Sequence, residues 1–155
     1  MLELKEFEKF EELQTPFLYY DLDLLRRTAD EVAKYSLKYG IGVNYALKAN
    51  VEPRILQIIS SKGFGADCVS GNEVIYAVEH GFHPETVVFA GVGKTDREIS
   101  RAIDLGIGCF NVESLMELEV IDTIASAKGV RVNVAVRINP NIDAHTHKYV
   151  TTGLE

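Results

Sequence analysis

Residues 65–80 read GADCVSGNEVIYAVEH and contain one complete strand-to-helix unit. The run Gly65–Val69 is short and mostly apolar, as a buried strand requires, and the residues from 72 onward repeat apolar side chains at helical spacing. Between these two segments, Ser70 can accept a hydrogen bond from the third helical N–H, while the side chain of Glu73 can reach back to the backbone N–H of Ser70. The stretch therefore predicts a β-strand that leads directly into a capped helix.

The same unit recurs from Gly42 to the end of the chain. Its apolar runs are centred about 22 to 24 residues apart, the length of one strand-loop-helix-loop unit. The predicted strands are Val43–Leu47, Gly65–Val69, Val87–Ala90, Gly108–Val112 and Val132–Ile138, and the predicted helices cover 52–62, 72–80, 96–105 and 114–127. Two more capping patterns, Thr95-x-x-Glu98 and Ser114-x-x-Glu117, precede helices. The glycines expected as left-handed C-caps are Gly63, Gly81, Gly106 and Gly129.

This alternation of short apolar strands and helices predicts an α/β fold with a parallel sheet. The even spacing favours a (β/α)8 TIM-type barrel over a doubly wound sheet. About five of the eight units are recognisable, and an incomplete barrel would expose two strand edges. We therefore expect residues 23–155 to be the first part of an incomplete barrel, a fragment that three further units or a second polypeptide would close.

The N-terminal region, residues 1–22, departs from the repeat. Residues 2–13 are predicted to form a short charged helix and Thr15–Asp21 (TPFLYYD) a strand, ahead of a strongly amphipathic helix over Asp23–Tyr39. Because the strand does not follow the repeat spacing, we expect it to pair outside the barrel. The aromatic residues expected in a core are Phe17, Tyr19, Tyr20 and Phe110.

The composition excludes several classes of protein. Hydrophobic residues make up 46% and charged residues 25% of the 155 residues, which is typical of a folded globular chain. The net charge of −7 argues against a nucleic-acid-binding surface. No apolar run approaches the length of a membrane span, and the start resembles no signal peptide, so a cytoplasmic location is expected. Cys68 and Cys109 lie in apolar segments and are interpreted as reduced core thiols.

Three side chains near predicted strand ends form a candidate site. Lys48 ends the first strand, Asp67 lies within the second, and Arg137 lies near the end of the fifth. In a barrel, the carboxyl ends of the strands surround the active site. A lysine amine with an acid and an arginine suits an anionic cofactor that carries a carbonyl group. On the residues alone, the favoured interpretation is that Lys48 is a cation that simply leaves the core for solvent.

Longer motifs carry a resemblance that favours the first interpretation. In chain order they are TPFLYYDLDLLRR at 15–27, YALKAN at 45–50, GADCVSGNE at 65–73, FNVES at 110–114 and RINPNIDAHTHKYVTTG at 137–153. With these motifs the chain resembles the fold-type III pyridoxal-phosphate decarboxylases. The resemblance implies an N-terminal barrel that binds pyridoxal 5′-phosphate, and a separate β domain to which the strand around Phe17–Tyr20 contributes.

The resemblance also implies roles for individual residues. Lys48 matches the lysine that carries the cofactor as a Schiff base, and Asp67 and Arg137 match residues of the cofactor pocket. Glu73 matches a second acid near the lysine, although its capping role competes with a catalytic one. His145 lies in a segment near the rim of the active site in this family.

The ending at 137–153 is most similar to family members that act on diaminopimelate. It implies decarboxylation of meso-2,6-diaminopimelate to L-lysine, in lysine biosynthesis, by an enzyme that forms homodimers with shared active sites. The family's glycine-rich phosphate loop, its acid at the pyridine nitrogen and its cofactor-stacking histidine have no counterpart before Glu155. The chain alone is therefore expected to release no carbon dioxide. The alternatives are a decarboxylase of ornithine, arginine or carboxynorspermidine, and a non-catalytic protein that binds pyridoxal phosphate.

Two other motifs invite different functions. AGVGKT at 90–95 resembles half of a phosphate-binding loop, but the complete motif needs a glycine where Val88 stands. Lys94 of this motif is left as either structural or part of the pocket rim. His145 and His147 suggest zinc, but no third ligand follows at a suitable spacing, so no metal site is expected.

Overall fold

The computed structural model describes residues 10–138. In chain order its strands and α-helices are α1 (Leu22–Tyr39), β1 (Asn44–Ala46), α2 (Pro53–Ser60), β2 (Gly65–Cys68), α3 (Gly71–Glu79), β3 (Val87–Phe89), α4 (Asp96–Leu105), β4 (Cys109–Val112), α5 (Leu115–Lys128) and β5 (Val134–Val136). Two 3₁₀ turns, Leu47–Ala49 and Pro84–Thr86, lie between them. The five predicted strands and the five helices from Asp23 onward are confirmed, with ends that differ by a few residues.

The strands form one parallel sheet in the order β1-β2-β3-β4-β5. Each strand pairs with the next strand of the chain, so the order never reverses as it would in a doubly wound sheet. The registers align one row across the first four strands, in which Ala46, Asp67, Val88 and Cys109 are paired in turn. This order confirms the α/β, barrel-type fold, and it brings the carboxyl ends of all five strands to one edge.

The two faces of the sheet differ because successive side chains of a strand point to opposite sides. Cys68, Phe89 and Phe110 lie on the face covered by helices, and none of the three is exposed. Asp67 and Cys109 alternate with them on the other face and are only partly buried. The core therefore lies between the sheet and the helices. The opposite face, called the concave face below, carries Ala46, Asp67, Val88 and Cys109 and is only partly buried.

The helix starts follow from local sequence. Ser70, Thr95 and Ser114 each accept a hydrogen bond from the backbone N–H three residues on, as predicted. Asp21, which the sequence patterns did not single out, caps α1 by accepting from two backbone N–H groups. All four predicted C-terminal glycines have positive φ, and Gly106 and Gly129 are the C-caps of α4 and α5.

Residues 14–21, before α1, pair with no strand of the described residues, and Leu18 is 81% exposed. The strand expected at Thr15–Asp21 was predicted to pair outside the barrel, with a separate β domain, so it stays a prediction. The aromatic residues expected in a core are corrected in part. Phe17, Tyr19 and Tyr20 are partly exposed instead of buried, whereas Phe110 is a core residue as predicted. Most of the predicted helix over 2–13 lies outside the described residues.

Both cysteines are free thiols. Cys68 is buried, but Cys109 is only half-buried on the concave face, because it occupies the alternate strand position. Within residues 10–138, no helix combines the length and the apolar character that crossing a bilayer requires.

Candidate active site at the carboxyl edge of the sheet

Lys48 lies in a short turn that β1 enters directly. Residues Leu47–Ala49 form a single 3₁₀ turn, which the backbone N–H of Asn50 closes by donating to the carbonyl oxygen of Leu47 at 3.1 Å. The hydroxyl of Tyr45 donates to the carbonyl oxygen of Asn50 at 3.0 Å, and so ties the strand to the far side of the turn. Burial, with a smaller effect from nearby Tyr20, raises the pKa of Tyr45 above its ordinary value of 10.0.

The side chain of Lys48 is exposed on this fixed turn. Among residues 10–138 its ammonium forms no hydrogen bond and no ion pair, whereas Leu47 beside it is completely buried. The backbone is therefore anchored in the core while the amine remains accessible. Both properties suit a lysine that must react with a carbonyl group.

Asp67 lies on the concave face next to the start of this turn. It pairs in register with Ala46, two residues before Lys48, and its half-buried carboxylate has no hydrogen-bond partner within the described residues. Burial raises the pKa of the neighbouring Cys68 thiol to about 12, and the negative charges of Glu73 and Asp67 contribute further. Two carboxylates thus lie near the carboxyl end of β2.

Glu73 contributes to the start of α3. Its Oε2 accepts from the backbone N–H of Val69 at 2.8 Å, and its own N–H donates to Oγ of Ser70 at 3.2 Å. The capping role expected from the sequence is therefore present, displaced by one residue from the ideal capping box. Oε1 of Glu73 has no hydrogen-bond partner in the part of the chain described, so one carboxylate oxygen remains available.

Arg137 follows β5, at the opposite end of the sheet from Lys48. Its backbone N–H donates to the carbonyl oxygen of Val112 at 2.9 Å, and its guanidinium contacts the two carboxylate oxygens of Glu113 at 3.3 and 3.4 Å. The structure places Lys48, Asp67 and Arg137 along the same edge. It does not bring Arg137 into contact with the other two, because three strands separate β1 from β5.

Lys94 is the residue that sequence reasoning left undecided. Its side chain is completely buried, and its ammonium donates to the carbonyl oxygens of Gly91 and Asn111, both at 2.7 Å, and to Oε1 of Glu117 at 2.5 Å. It also lies 5.4 Å from the centre of the Phe89 ring. All three N–H groups are therefore used inside the protein.

This burial decides against a nucleotide site in the AGVGKT segment. The lysine of a phosphate-binding loop must reach a phosphate, whereas Lys94 points inward and holds its own loop. Gly91 has a φ of 101°, a conformation that other L-residues rarely adopt, and the loop needs it to direct its carbonyl oxygen at Lys94. The sequence identifies Glu117 as part of a helix cap, but no sequence signal predicts that Glu117 is also the ion-pair partner of Lys94.

The described part of the chain also contains grooves. One, of about 660 Å³, is lined by Val32, Tyr35, Tyr39, Ile41 and other residues of α1 and the segment before β1. It is apolar and contains none of the candidate site residues. We therefore assign the candidate site to the carboxyl edge of the sheet, where the reactive side chains are, and not to this groove.

His145 and His147 lie outside the described residues. Within residues 10–138, no group of three potential ligand side chains is arranged to hold a metal ion.

Comparison with known proteins agrees with this geometry. The model of the pyridoxal binding domain of pyridoxal-dependent decarboxylases matches residues 23–155. Diaminopimelate decarboxylase of Bacteroides thetaiotaomicron is 53% identical over 148 residues, which cover 95% of this chain and 38% of that protein. The enzyme of the same name from Helicobacter pylori J99 is 43% identical over 148 residues, which cover 96% of this chain and 36% of that protein. The chain thus spans little more than a third of the length of these relatives.

Solved structures give the same result. Diaminopimelate decarboxylase from Helicobacter pylori, complexed with L-lysine, superposes with a TM-score of 0.86 at 44% identity, over 97% of this chain and 38% of that one. The M. jannaschii enzyme in co-complex with L-lysine gives a TM-score of 0.80 at 33% identity, over 97% and 36% of the two chains. From its parallel strand order, its edge lysine and these similarities, we conclude that the chain belongs to the pyridoxal-dependent decarboxylases, in whose pyridoxal binding domain it lies.

Proposed function

We propose that the full-length protein is a pyridoxal-phosphate-dependent carboxy-lyase that converts meso-2,6-diaminopimelate to L-lysine. The similar proteins named above are diaminopimelate decarboxylases, and two of the solved relatives contain L-lysine. Within the chain itself, the observation that carries the proposal is the exposed amine of Lys48, which has no hydrogen-bond or ion-pair partner among residues 10–138, on a turn fixed to the core.

The residues at the carboxyl edge fit pyridoxal phosphate by their chemistry. An aldehyde needs an accessible amine, which Lys48 supplies, and an anionic cofactor needs positive potential. The helices that follow the strands begin at this edge, so the positive ends of their dipoles are directed toward it. When bound, the cofactor supplies the electron sink that allows an α-carboxylate to leave as carbon dioxide.

Lys48 would hold the cofactor covalently through Nζ, as a Schiff base, and would be displaced while substrate occupies the site. A displaced lysine is an ammonium that needs a counterion. Asp67 lies in register with Ala46, two residues before Lys48, and its carboxylate is unpaired within the described residues. Oε1 of Glu73 is similarly available. These two acids would therefore stabilise the free ammonium of Lys48.

Arg137 would contribute positive charge to the cofactor pocket from the end of β5. Its side chain is 57% exposed, and its guanidinium contacts Glu113 at the same edge as Lys48. In a closed barrel the interior of this edge is shared by all the strands, so Arg137 and Lys48 would face one pocket from different sides. His145 would complete the rim.

The rest of the full-length protein would cover apolar surface that this chain exposes. Val136 and Ile138 at the β5 end are 62% and 80% exposed, and Ile41 before β1 is 61% exposed. We propose that further barrel units cover these surfaces and that residues 1–22 pair with a separate β domain. We also propose a cytoplasmic homodimer, a location with which the two free thiols agree.

The covalent attachment can be tested by absorbance of the full-length protein with pyridoxal phosphate. A protonated imine absorbs at about 420 nm, a property of the cofactor itself. We expect this band in the wild type and in Lys38→Ala, which removes a lysine of α1 outside the site, but not in Lys48→Ala. A band that persists in Lys48→Ala would refute the assignment.

Substrate choice needs a second assay. Carbon dioxide release from meso-diaminopimelate should exceed release from ornithine, arginine or carboxynorspermidine by at least about a hundredfold, because a site built to bind a polar group rejects substrates that leave its own polar groups unpaired. If the enzyme prefers one of these other substrates, the family assignment stands but the proposed substrate is wrong.

A further inference from the structure

The buried ammonium of Lys94 is fully satisfied and cannot itself bind a ligand. Its three N–H groups have three acceptors. Two of them are backbone carbonyl oxygens, that of Gly91 just after β3 and that of Asn111 within β4. The third acceptor is Oε1 of Glu117, in the first turn of α5. Lys94 therefore joins two strand ends to the start of a helix, directly beneath the edge that carries the candidate site.

The carboxylate of Glu117 continues this connection. While Oε1 accepts from Lys94, Oε2 accepts from the backbone N–H of Glu113 at 2.9 Å. Its side chain is only 12% exposed, so both contacts are shielded from water. One carboxylate thus fixes the backbone position of Glu113 relative to Lys94.

The side chain of Glu113 in turn holds Arg137. Its carboxylate contacts the guanidinium at 3.3 and 3.4 Å, and the backbone from which this side chain extends is the one that Glu117 binds. The side chain of Glu113 is 15% exposed and that of Arg137 is 57% exposed, so the acid is the more enclosed of the two partners. The position of the cation at the edge follows from the position of Glu113.

We propose that Lys94 and Glu117 are positioning residues that set the guanidinium of Arg137 in the cofactor pocket. The connection runs from Lys94 through the carboxylate of Glu117 to the backbone of Glu113, and from the side chain of Glu113 to Arg137. That Arg137 lies in a cofactor pocket rests on the proposed function. That Glu117 determines the position of Arg137 is a geometric claim independent of the proposed function.

Glu117→Gln is the sharpest variant because it keeps the shape of the side chain. The carboxylate accepts at both oxygens, but an amide has one oxygen and one NH2 group. Whichever way the amide is turned, its NH2 faces either the ammonium of Lys94 or the N–H of Glu113, and two donors then oppose each other. Glu119→Gln is the matched control, since it makes the same change two residues along α5 on an exposed side chain.

The first measurement is the crystal structure of full-length Glu117→Gln. We expect the backbone at Glu113 to move and the contact between Glu113 and Arg137 to be lost, while Glu119→Gln leaves both unchanged. An unmoved contact overturns the proposal, whether or not the protein binds pyridoxal phosphate.

The second measurement is the affinity of the full-length apoprotein for pyridoxal phosphate in a double-mutant cycle. Glu117→Gln and Arg137→Gln should each weaken binding by about tenfold, and the double variant by little more than either one, because both remove the same cation from the pocket. Additive effects would show that Glu117 does not act through Arg137 and would refute the positioning role. If the wild type binds no pyridoxal phosphate, the proposed function fails, and the crystal structure alone decides the inference.

A further variant covers the case in which Glu117→Gln does not fold. Lys94→Met with Glu117→Met removes both buried charges together, which avoids leaving one of them unpaired. This variant should fold, but the contact between Glu113 and Arg137 should be lost. A double variant with Arg137 still on Glu113 would contradict the proposal.

Discussion

The carboxylate of Glu98 accepts a hydrogen bond from the backbone N–H of Gly71 at 2.8 Å, although 27 positions separate the two residues. The same carboxylate accepts from the backbone N–H of Thr95, and so completes the capping box of its own helix. One side chain therefore caps α4 and, through its other oxygen, the start of α3. The two helix starts that follow neighbouring strands are held in a fixed relation at the candidate active site.

The first prediction concerns the charge of Glu98. Hydrogen bonds from the backbone of Thr95 first, and of Gly71 second, lower the pKa of this carboxyl from its ordinary value of 4.5. A lowered pKa means that the ionised form stabilises the fold above the unfolded-state pKa, and that this stabilisation is lost as the pH falls through the folded-state pKa. Glu98→Gln should therefore destabilise the full-length protein at pH 7 by about 1 kcal/mol, as for loss of a helix cap.

The check is thermal unfolding of both proteins between pH 7 and pH 3. The difference in melting temperature should shrink as the pH falls from 4.5 through the lowered folded-state pKa, where Glu98 of the folded wild type itself becomes protonated. Glu119→Gln, on an exposed side chain, should match the wild type throughout. A difference that stays constant with pH would contradict the linkage to Glu98.

The second prediction concerns Gly71. A Cβ atom placed there would lie 2.5 Å from Cγ of Glu98, so the glutamate would have to move and give up one or both of its caps. Gly71→Ala should destabilise the protein by about 1 kcal/mol or more, even though alanine ordinarily favours a helix. Gly93→Ala is the control, because nothing lies within 4 Å of its added Cβ. Equal melting temperatures for the two variants would show that the contact is unimportant.

The third prediction concerns the buried pair of Lys94 and Glu117. Lys94→Met leaves a carboxylate that is 12% exposed without its cation, and breaking a buried pair in this way typically costs about 3 kcal/mol or more. We expect a lower midpoint of denaturant unfolding for the full-length variant, with Lys38→Met as a control at an exposed lysine. A midpoint close to that of the wild type would mean that Glu117 finds another donor.

The fourth prediction concerns the turn that carries Lys48. Tyr45→Phe removes the hydroxyl that donates to the carbonyl oxygen of Asn50, a loss of about 1 kcal/mol of local stability. Hydrogen exchange at the N–H of Asn50 should become about fivefold faster, since this N–H closes the turn. Tyr39→Phe, at an exposed ring, should leave the rate unchanged. Unaltered exchange in Tyr45→Phe would show that the hydroxyl does not fix the turn.

The fifth prediction concerns thiol reactivity. Burial, reinforced by Glu73 and Asp67, raises the pKa of Cys68 to about 12, so very little thiolate exists at pH 8. Iodoacetamide should therefore label Cys68 only after unfolding, as followed by mass spectrometry of the peptide that contains it. In the absence of pyridoxal phosphate, iodoacetamide should also label Cys109 on the concave face of the native protein. The reaction should be slower than with a free thiol, because burial raises the pKa of Cys109 as well. Rapid labelling of native Cys68 would contradict its buried position.

Much of the fold could be read from the sequence because its signals are local. A strand such as Gly65–Cys68 and the cap at Ser70 depend on neighbouring residues, and both were predicted within a residue or two. The strand expected at Thr15–Asp21 stays a prediction, because strand pairing depends on a neighbouring strand, and the neighbour expected for this segment belongs to a separate β domain. Within residues 10–138 the segment pairs with no strand.

The candidate site divides in the same way. The sequence by itself determined that Lys48 directly follows the first strand and that Asp67 and Arg137 lie near the ends of two others, since the apolar pattern and its spacing along the chain are local signals. Only the tertiary structure decided that Lys94 is inside, with Glu117 as its counterion and the loop carbonyl of Gly91 as an acceptor. A charged residue is buried only when its partners converge on it from separate elements, and no local pattern records that convergence.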